Sequence, residues 1–222
     1  MRKPRVLLSW SSGKDSAWAL HVLRQQAEVE VVGLLTTLNA THQRVAMHAV
    51  RQSLLEMQAD AVGLPLWTIP LPWPCPNETY EGLMAGVMER ARGEQIDQIA
   101  YGDLFLDDIR AYREARHQGS GIGTCFPLWQ LPTRRLAEDM IAAGLGARLT
   151  CVDPKHLHAG FAGRDFDLDL LAELPPGVDP CGEHGEFHSF AYRGPMFRHP
   201  IAIRTGDVVE RDGFVFADLI PG

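Results

Sequence analysis

The feature that most constrains the fold is the alternation of short apolar runs with helical patterns along the first half of the chain. Runs typical of buried strands lie at 6–10, 29–38, 66–69 and 98–101, and apolar residues recur at the spacing of one helix face between them. Strands that alternate with helices in this order form a parallel sheet with helices on both faces. The sequence therefore predicts an α/β fold.

Two later helices carry polar residues that suit their amino ends. Asn77 is a favourable N-cap, and Glu78 and Glu81 would lie at the positive end of the same helix dipole. A further helix is expected to be capped by Thr133 and to stop at Gly144. We therefore expect helices to begin at Asn77 and Thr133.

The last part of the chain has a different character, because the alternation ends after residue 103. It contains β-type runs at 201–203 and 213–216, which resemble antiparallel strands, with a turn around residues 205–207. We therefore expect two domains, a parallel-sheet domain and a smaller α+β domain, at residues 1–103 and 104–222.

Composition and charge limit the partners that the chain can have. With 222 residues, of which 45% are hydrophobic and 22% charged, it has the composition of an ordinary globular protein. A formal net charge of -7 argues against nucleic acid as a partner, and no apolar segment is long enough to span a membrane. The cysteines are scattered without a CxxC pair, which favours a reduced, cytoplasmic protein.

The segment between the first strand and the first helix has the form of an anion-binding loop. Small residues there let a phosphate approach backbone N–H groups at the positive end of the helix dipole, and Lys14 adds a charge. A Walker loop is excluded, because its first glycine would have to stand at Leu8 and Asp15 occupies the position of its Ser or Thr. The residues expected to bind nucleotide phosphates are Ser9, Ser11, Ser12, Gly13, Lys14, Asp15 and Ser16.

A second segment, 181–190, concentrates carboxylates, imidazoles and glycines near the carboxyl end. Glu183 and Glu186 could orient an amine nucleophile, bind magnesium or accept a proton, and His188 could do the same near neutral pH. A zinc-protease HExxH motif is excluded, because Gly185 stands where its glutamate would have to be. The alternative interpretation is a polar loop that carries these side chains by chance.

Together the two segments resemble the motifs of a known enzyme family. The first resembles the pyrophosphate loop, SGGxDS, of the ATP pyrophosphatase superfamily, with Ser12 in place of the first glycine. The pair SSGKDS and GEHGEFHSF is similar to motifs of the diphthine–ammonia ligase family of pyrophosphate-loop enzymes. The similarity runs along most of the chain and also includes 51–65, 102–103, 110–114, 127–129, 143–155 and 194–197.

The resemblance implies a Rossmann-like nucleotide-binding domain of the HUP type and a carboxyl-terminal substrate-binding domain. It implies that ATP adenylates a substrate carboxylate with release of pyrophosphate, and that ammonia then displaces AMP to give an amide. In the family the carboxylate belongs to diphthine, a modified histidine of translation elongation factor two. ATP and Mg²⁺ are then required, with Asp15 as the metal ligand, and the catalytic residues are Lys14, Asp15, Glu183 and Glu186.

Further substrate contacts are predicted from position and from the resemblance. Gly102 and Asp103 follow the fourth strand, at the edge where open parallel sheets bind ligands. Arg110 and Arg113 are predicted to face the substrate, although Arg110 and Glu114 could instead form an exposed helical ion pair. The second segment completes the substrate-binding set with Gly182, Glu183, Gly185, Glu186 and His188.

Other functions remain open. The chain could act on a different carboxylate or carbonyl compound, or it could be a sensor that binds an adenine nucleotide without turnover. A tRNA thiolase would need a catalytic cysteine and a basic surface, whereas Cys181 has no paired cysteine and is interpreted as a small buried residue. An exposed terminal hairpin could join two copies of the chain in a homodimer.

Overall fold

The computed structural model of the chain describes residues 2–41, 44–45 and 50–222. The strands are β1 Arg5–Ser9, β2 Glu30–Asn39, β3 Arg44–Val45, β4 Leu66–Leu71, β5 Gln98–Ala100, β6 Gly123–Cys125, β7 Gly146–Val152, β8 Phe187–Arg193, β9 Ile203–Arg211 and β10 Phe214–Pro221. The helices are α1 Lys14–Gln26, α2 Gln52–Val62, α3 Asn77–Gly93, α4 Asp107–His117, α5 Thr133–Ala142 and α6 Leu168–Glu173, and Ala159–Phe161 forms a 3-10 turn. Within these ranges no helix combines the length and the apolar character that crossing a bilayer requires.

The parallel sheet expected from the alternating pattern is present. Strands β4, β2, β1, β5 and β6 lie side by side in this order and run parallel, and the short β3 pairs antiparallel with the end of β2. Leu8 of β1 packs in a buried cluster with Leu20 of α1 and Leu54 of α2, whereas Leu7 packs with Val87 of α3 in a second cluster. Successive residues of β1 thus face helices on opposite sides of the sheet, and the α/β, Rossmann-like fold is confirmed.

The carboxyl-terminal part forms a second, antiparallel sheet in the order β8, β7, β10, β9. Leu149 of β7 and Phe190 of β8 are fully buried and belong to the same hydrophobic cluster as Leu8 and Leu20. The two sheets therefore share one core. The domain division after residue 103 stays a prediction, and β6, which follows that position, pairs with β5 of the first sheet.

Two expected helix caps are wrong by one residue. Pro76 is the N-cap of α3, and Asn77 is the first residue inside the helix. Likewise Pro132 is the N-cap of α5, and the Thr133 hydroxyl donates a hydrogen bond to Asp179 (2.6 Å) instead of capping. Both prolines have the extended backbone of an N-cap residue, with ψ angles of 149° and 113°, and neither helix has a side-chain cap hydrogen bond.

The turn expected at residues 205–207 is also wrong. These residues lie inside β9, which pairs with β10, and the hairpin turns at Asp212 and Gly213. Both of these residues have positive φ, 53° and 81°. Asp-Gly is a common two-residue hairpin turn, because both residue types tolerate this conformation.

A buried amide joins the two sheets. Gln58 of α2 is fully buried, and its Oε1 accepts a hydrogen bond from Trp10 Nε1 (2.8 Å). Its Nε2 donates to the carbonyl oxygens of Ser12 (2.9 Å) and Ala191 (2.6 Å). The side chain thereby connects α2, the loop after β1 and strand β8, and none of its polar atoms is left unpaired.

Replacing Gln58 with leucine should therefore destabilise the fold. Gln58→Leu removes the buried hydrogen-bond partner of Trp10 Nε1 and of the Ala191 carbonyl, which should lower the free energy of unfolding by about 2–4 kcal/mol. Urea denaturation followed by tryptophan fluorescence measures this change. Gln52→Leu, which removes a bond to Glu56 at the surface of the same helix, is the control. Equal losses in the two variants would contradict the role of Gln58.

Candidate active site

A polar cleft of about 240 Å³ opens at the carboxyl ends of β1 and β5. This is the edge at which open parallel sheets bind ligands. The cleft brings together both predicted motifs and the segment after β5. Its lining consists of Ser9, Ser11, Lys14, Asp15, Ser16, Tyr101, Gly102, Asp103, Arg113, Cys181, Gly182, Glu183, Phe187 and His188.

The loop between β1 and α1 forms one wall of the cleft. Helix α1 begins at Lys14, and its N-cap Gly13 has no side chain that could accept a hydrogen bond from the first helical turn. The hydroxyls of Ser11 and Ser16 lie 3.1 Å apart, and the Ser16 hydroxyl donates to the Gly13 carbonyl. The positive end of the helix dipole therefore lies at the cleft, where it suits anionic oxygens.

Lys14 is buried, with only 2% of its side chain exposed. Its Nζ donates to Asp15 Oδ2 (2.9 Å) and to the Cys181 carbonyl, and it lies 5.2 Å from the centre of the Phe187 ring. Burial lowers the pKa of Lys14, but Asp15, Cys181 and Glu183 together more than offset this, and the pKa lies above its ordinary value. The side chain is therefore a cation held by both motifs.

Ser12 adopts the left-handed conformation, with a φ of 70°. Its carbonyl accepts a hydrogen bond from the Ala191 N–H of β8 (2.9 Å). Its hydroxyl is buried and has no hydrogen-bond partner in the described part of the chain. At the position where the similar loops have glycine, the serine therefore adds backbone strain and an unpaired polar group.

The segment after β5 packs closely against the start of α1. A Cβ atom on Gly102 would lie 3.1 Å from backbone atoms of Asp15 and Ser16, so this approach favours glycine. Asp103 accepts two hydrogen bonds from Arg113, one of them from Nη2 at 3.0 Å. The contact of these residues with a substrate stays a prediction, but all of them lie at the cleft.

Asp179 shapes the turn that carries the second motif. Its Oδ1 accepts hydrogen bonds from the backbone N–H groups of Cys181 (2.9 Å) and Glu183 (3.3 Å). Gly182 has a φ of 71°, and a Cβ atom there would lie 2.8 Å from the Phe187 carbonyl oxygen. The tight turn therefore requires glycine at this position, and it places Glu183 at the cleft.

Glu183 is the carboxylate of the second motif that reaches the cleft. Its Oε1 accepts a hydrogen bond from the Leu104 N–H (2.7 Å). Burial raises the pKa of Glu183 to about 7, the bond from Leu104 opposes the rise, and the nearby Asp15 and Asp103 carboxylates add to it. A carboxyl group with this pKa can take up and release a proton near neutral pH.

Other predicted residues do not line the cleft. Glu186 is buried beside it, where its Oε1 accepts a hydrogen bond from the Asp179 N–H (2.9 Å). Arg110 forms an ion pair with Glu114 (2.8 Å) on the surface of α4, which was the alternative to a substrate contact in the sequence analysis. Gly185 is also absent from the lining. The catalytic role of Glu186 and the substrate contacts of all three stay predictions.

His188 lines the cleft but does not titrate near neutral pH. Burial, together with the nearby Lys14 charge, lowers its pKa to about 4. The imidazole is therefore neutral at pH 7. Burial therefore disfavours the imidazolium and counts against proton uptake by His188 near neutral pH, and its contact with a substrate stays a prediction.

Sequence reasoning misses several groups at the cleft. Tyr101 lines it, and its place directly after β5 was a signal that could have identified it. The Ser189 hydroxyl accepts a hydrogen bond from the Lys14 N–H (3.2 Å), a contact between distant segments that has no local signal. Cys181 contributes its carbonyl to Lys14, while burial raises the pKa of its thiol, so it is not an activated nucleophile.

The chain matches family models over most of its length. The model described as diphthamide synthase N-terminal domain matches residues 4–122, and the diphthamide synthase C-terminal domain matches residues 132–216. The chain belongs to the diphthamide synthase family. The two matched segments carry the two motifs that meet in the cleft, so this diphthamide synthase family member contains both halves of the site.

Curated relatives of this diphthamide synthase family member are similar along nearly all of the chain. The diphthine–ammonia ligase of Bos taurus is 27% identical, with 97% of this chain and 88% of the relative covered. That of Homo sapiens is 26% identical over the same shares, and that of Danio rerio is 25% identical, with 97% and 92% covered. The similarity therefore includes both sheets.

Replacing Ser12 with glycine should stabilise this family member. Ser12→Gly relieves the left-handed strain and removes the unpaired buried hydroxyl, although the extra freedom of the unfolded glycine offsets part of the gain. We expect a net gain of about 1 kcal/mol, which corresponds to a rise of about 2–4 °C in Tm by calorimetry. Asp212→Gly is the control, because Asp212 has a φ of 53° but is exposed. A lower Tm of Ser12→Gly would contradict the interpretation.

The ionisation of Glu183 should make stability depend on pH. Its folded pKa of about 7 exceeds its ordinary value of 4.5, so the stability that it contributes is complete below about pH 4.5 and is lost as the pH rises through 7. We therefore compare the free energy of unfolding of the natural chain with that of Glu183→Gln. The stability advantage of the natural chain should fall between pH 4.5 and 7 and then level off. Urea titrations across this range measure the difference. A difference that does not change with pH would count against the raised pKa.

Proposed function

We propose that the chain is an ATP-dependent amide ligase that forms AMP. The observation that carries the proposal is the cleft, which places the start of α1, Lys14 and Asp15 beside Glu183 and Asp103. The helix terminus and the lysine suit the phosphates of a nucleotide, and the carboxylates suit an amine nucleophile and its protons. The similarity to relatives named diphthine–ammonia ligase extends over most of both chains, and it supports the same class of reaction.

In the first step, an oxygen of the acceptor carboxylate attacks the α-phosphorus of ATP. The bond from that phosphorus to the oxygen bridging the β-phosphate breaks, and pyrophosphate leaves with the electron pair. The N–H groups at the start of α1 and the Lys14 ammonium would stabilise the charge that develops on pyrophosphate. The product is an acyl adenylate, in which AMP has become a good leaving group for the acyl carbon.

In the second step, the lone pair of ammonia attacks the acyl carbon, AMP leaves with its bonding pair, and the nitrogen loses a proton. We assign this proton to Glu183, because a pKa of about 7 leaves a large ionised fraction at neutral pH. The hydrogen bonds from Leu104 and to Asp179 hold Glu183 and its turn in one position. A base that is already held in position favours the reaction, because no entropy is lost in ordering its side chain during the step.

Mg²⁺ is proposed to accompany ATP, with Asp15 as its protein ligand. Asp15 Oδ1 is buried without a hydrogen-bond partner among the described residues, and a carboxylate oxygen suits a hard cation. No group of three or more His, Cys, Asp or Glu residues in the described ranges could hold a metal alone. Asp15 would therefore share the ion with phosphate oxygens and water, and the ion would neutralise phosphate charge.

The proposed acceptor is the carboxylate of diphthine on translation elongation factor two, as the resemblance implies. The name of the relatives supports this acceptor, and a different carboxylate would leave the chemical steps unchanged. The four cysteines, Cys75, Cys125, Cys151 and Cys181, are free, which fits the proposed cytoplasmic location. Association of two copies through the β9–β10 hairpin remains part of the proposal.

The products of turnover test this function. Incubation with ATP, Mg²⁺, ammonium and a carboxylate acceptor should release AMP and pyrophosphate in equal amounts, measured by ion-exchange chromatography and mass spectrometry of the amide. Lys14→Met preserves the length of the side chain but removes the charge, and should lower the rate by about 100-fold or more. Lys155→Met, at an exposed lysine, is the matched control and should keep the natural rate.

Two outcomes would contradict the proposal. Release of ADP and phosphate would place bond breaking at the γ-phosphate, and tight nucleotide binding without turnover on any acceptor would favour a sensor. An unchanged rate in Lys14→Met would instead remove Lys14 from the mechanism.

A further inference from the structure

Asp179 is held from two sides by residues that the mechanism above does not use. It lies in the loop between α6 and β8. Its Oδ2 accepts a hydrogen bond from the Thr133 hydroxyl (2.6 Å), and its N–H donates one to Glu186 Oε1 (2.9 Å). Thr133 is the first residue of α5, and Glu186 directly precedes β8. Asp179 is therefore anchored both to a helix and to the start of a strand.

The first anchor places the Asp179 carboxylate at the start of α5. No side chain caps this helix, and the positive end of its dipole favours a carboxylate nearby. The Thr133 carbonyl also accepts a weak hydrogen bond from the Cys181 thiol (3.5 Å). Helix α5 therefore contacts the loop at two points through one residue.

The second anchor is a carboxylate that is closed off from the cleft. Glu186 is only 2% exposed, and its Oε2 is buried without a hydrogen-bond partner among the described residues. Its own carbonyl accepts a hydrogen bond from the Asp153 N–H (2.9 Å), directly after β7. A carboxylate enclosed in this way is placed to hold the Asp179 backbone rather than to contact a substrate.

The turn that follows Asp179 carries two groups of the cleft. Asp179 Oδ1 accepts hydrogen bonds from the N–H groups of Cys181 (2.9 Å) and Glu183 (3.3 Å). The Cys181 carbonyl in turn accepts a hydrogen bond from Lys14 Nζ, and Glu183 Oε1 accepts one from the Leu104 N–H. A displacement of Asp179 would therefore move the contacts of both the ammonium and the carboxylate.

We propose that Thr133 and Glu186 are positioning residues, which act through Asp179 to hold the Lys14 ammonium and the Glu183 carboxylate in the cleft. The proposal rests on the ligase function proposed above and adds two residues that do not touch the reacting atoms. Thr133 fixes the side chain of Asp179 and Glu186 fixes its backbone, so both are needed. A displacement of about 1 Å at the reacting groups can cost about 100-fold in rate.

Two substitutions of Thr133 test the first anchor. Thr133→Val keeps the shape of the side chain but removes the hydroxyl, whereas Thr133→Ser keeps the hydroxyl. Because burial raises the pKa of Glu183, a loosened turn should let that pKa fall from about 7 towards 4.5 in Thr133→Val. Thr133→Ser should keep it near 7. NMR titration of the full chain with ¹³C-labelled glutamate and without ATP measures the pKa, and Glu183→Gln identifies the signal.

Two substitutions of Glu186 test the second anchor. Glu186→Met preserves the length of the side chain but removes the acceptor oxygen, whereas Glu186→Gln keeps an acceptor oxygen without the charge. We expect Glu186→Met to lower the pKa of Glu183 and to slow AMP formation by about 10-fold or more, and Glu186→Gln to be at least about 5-fold faster than Glu186→Met. Glu89→Met and Glu89→Gln, at an exposed position of α3, are the matched controls.

The pH profile of AMP formation separates positioning from a loss of stability. The acidic limb of the profile should follow the ionisation of Glu183, so it should lie near pH 7 in the natural chain. In Thr133→Val and Glu186→Met the limb should move to lower pH. A purely structural role would lower the amount of active protein and leave the limb in place.

The outcomes also separate this proposal from the ligase function. A natural Glu183 pKa in Thr133→Val or in Glu186→Met would overturn the proposal even if AMP forms. If Glu186→Gln is no faster than Glu186→Met, the carboxylate itself takes part in the reaction, and the proposal fails as well. Lowered Glu183 pKa values without AMP from any acceptor would support the two anchors and count against the ligase.

Discussion

The structure depends on hydrogen bonds that hold the loop after β1 against strand β8. The Ser12 carbonyl accepts a hydrogen bond from the Ala191 N–H, and the Lys14 N–H donates one to the Ser189 hydroxyl. The Gln58 amide donates to the carbonyl oxygens of both Ser12 and Ala191. These bonds fix a strained loop that local sequence alone would not hold. They also bring the second motif to the start of α1, because β8 begins within that motif. The loop after β1 and Glu183 thus line one cleft.

Much of the first sheet could be predicted because each of these strands is a short apolar run that can be recognised from neighbouring residues alone. The apolar runs and helix faces identify β1, β2, β4 and β5, since a parallel strand that is buried on both faces needs a continuous apolar segment. Strand β7 mixes Gly146, Arg148 and Thr150 with apolar residues, and β8 begins inside a motif that resembles a polar loop. Strands β7 and β8 of the second sheet therefore had no clear pattern. The expected caps Asn77 and Thr133 each lie one residue after a proline that occupies the N-cap position.

The site was predictable where side-chain type and position after a strand coincide, as at Lys14, Asp15 and Asp103. Glu183 and Glu186 show the limit of this reasoning. The two carboxylates are three residues apart in one motif, yet Glu183 lies at the cleft and Glu186 binds the backbone of Asp179. The direction of the tight turn separates their environments, and that direction depends on Gly182 and on the hydrogen bonds that Asp179 accepts from the turn.

The shared core has a consequence for how the chain acquires its structure. Helix α1, near the amino end, packs against β8, and β10, at the carboxyl end, pairs with β7 in the same core. A nascent chain on the ribosome cannot complete this core until strand β10 has emerged. Contacts between such distant segments slow folding, so the amino-terminal half exposes apolar surface until β8 and β10 have been made.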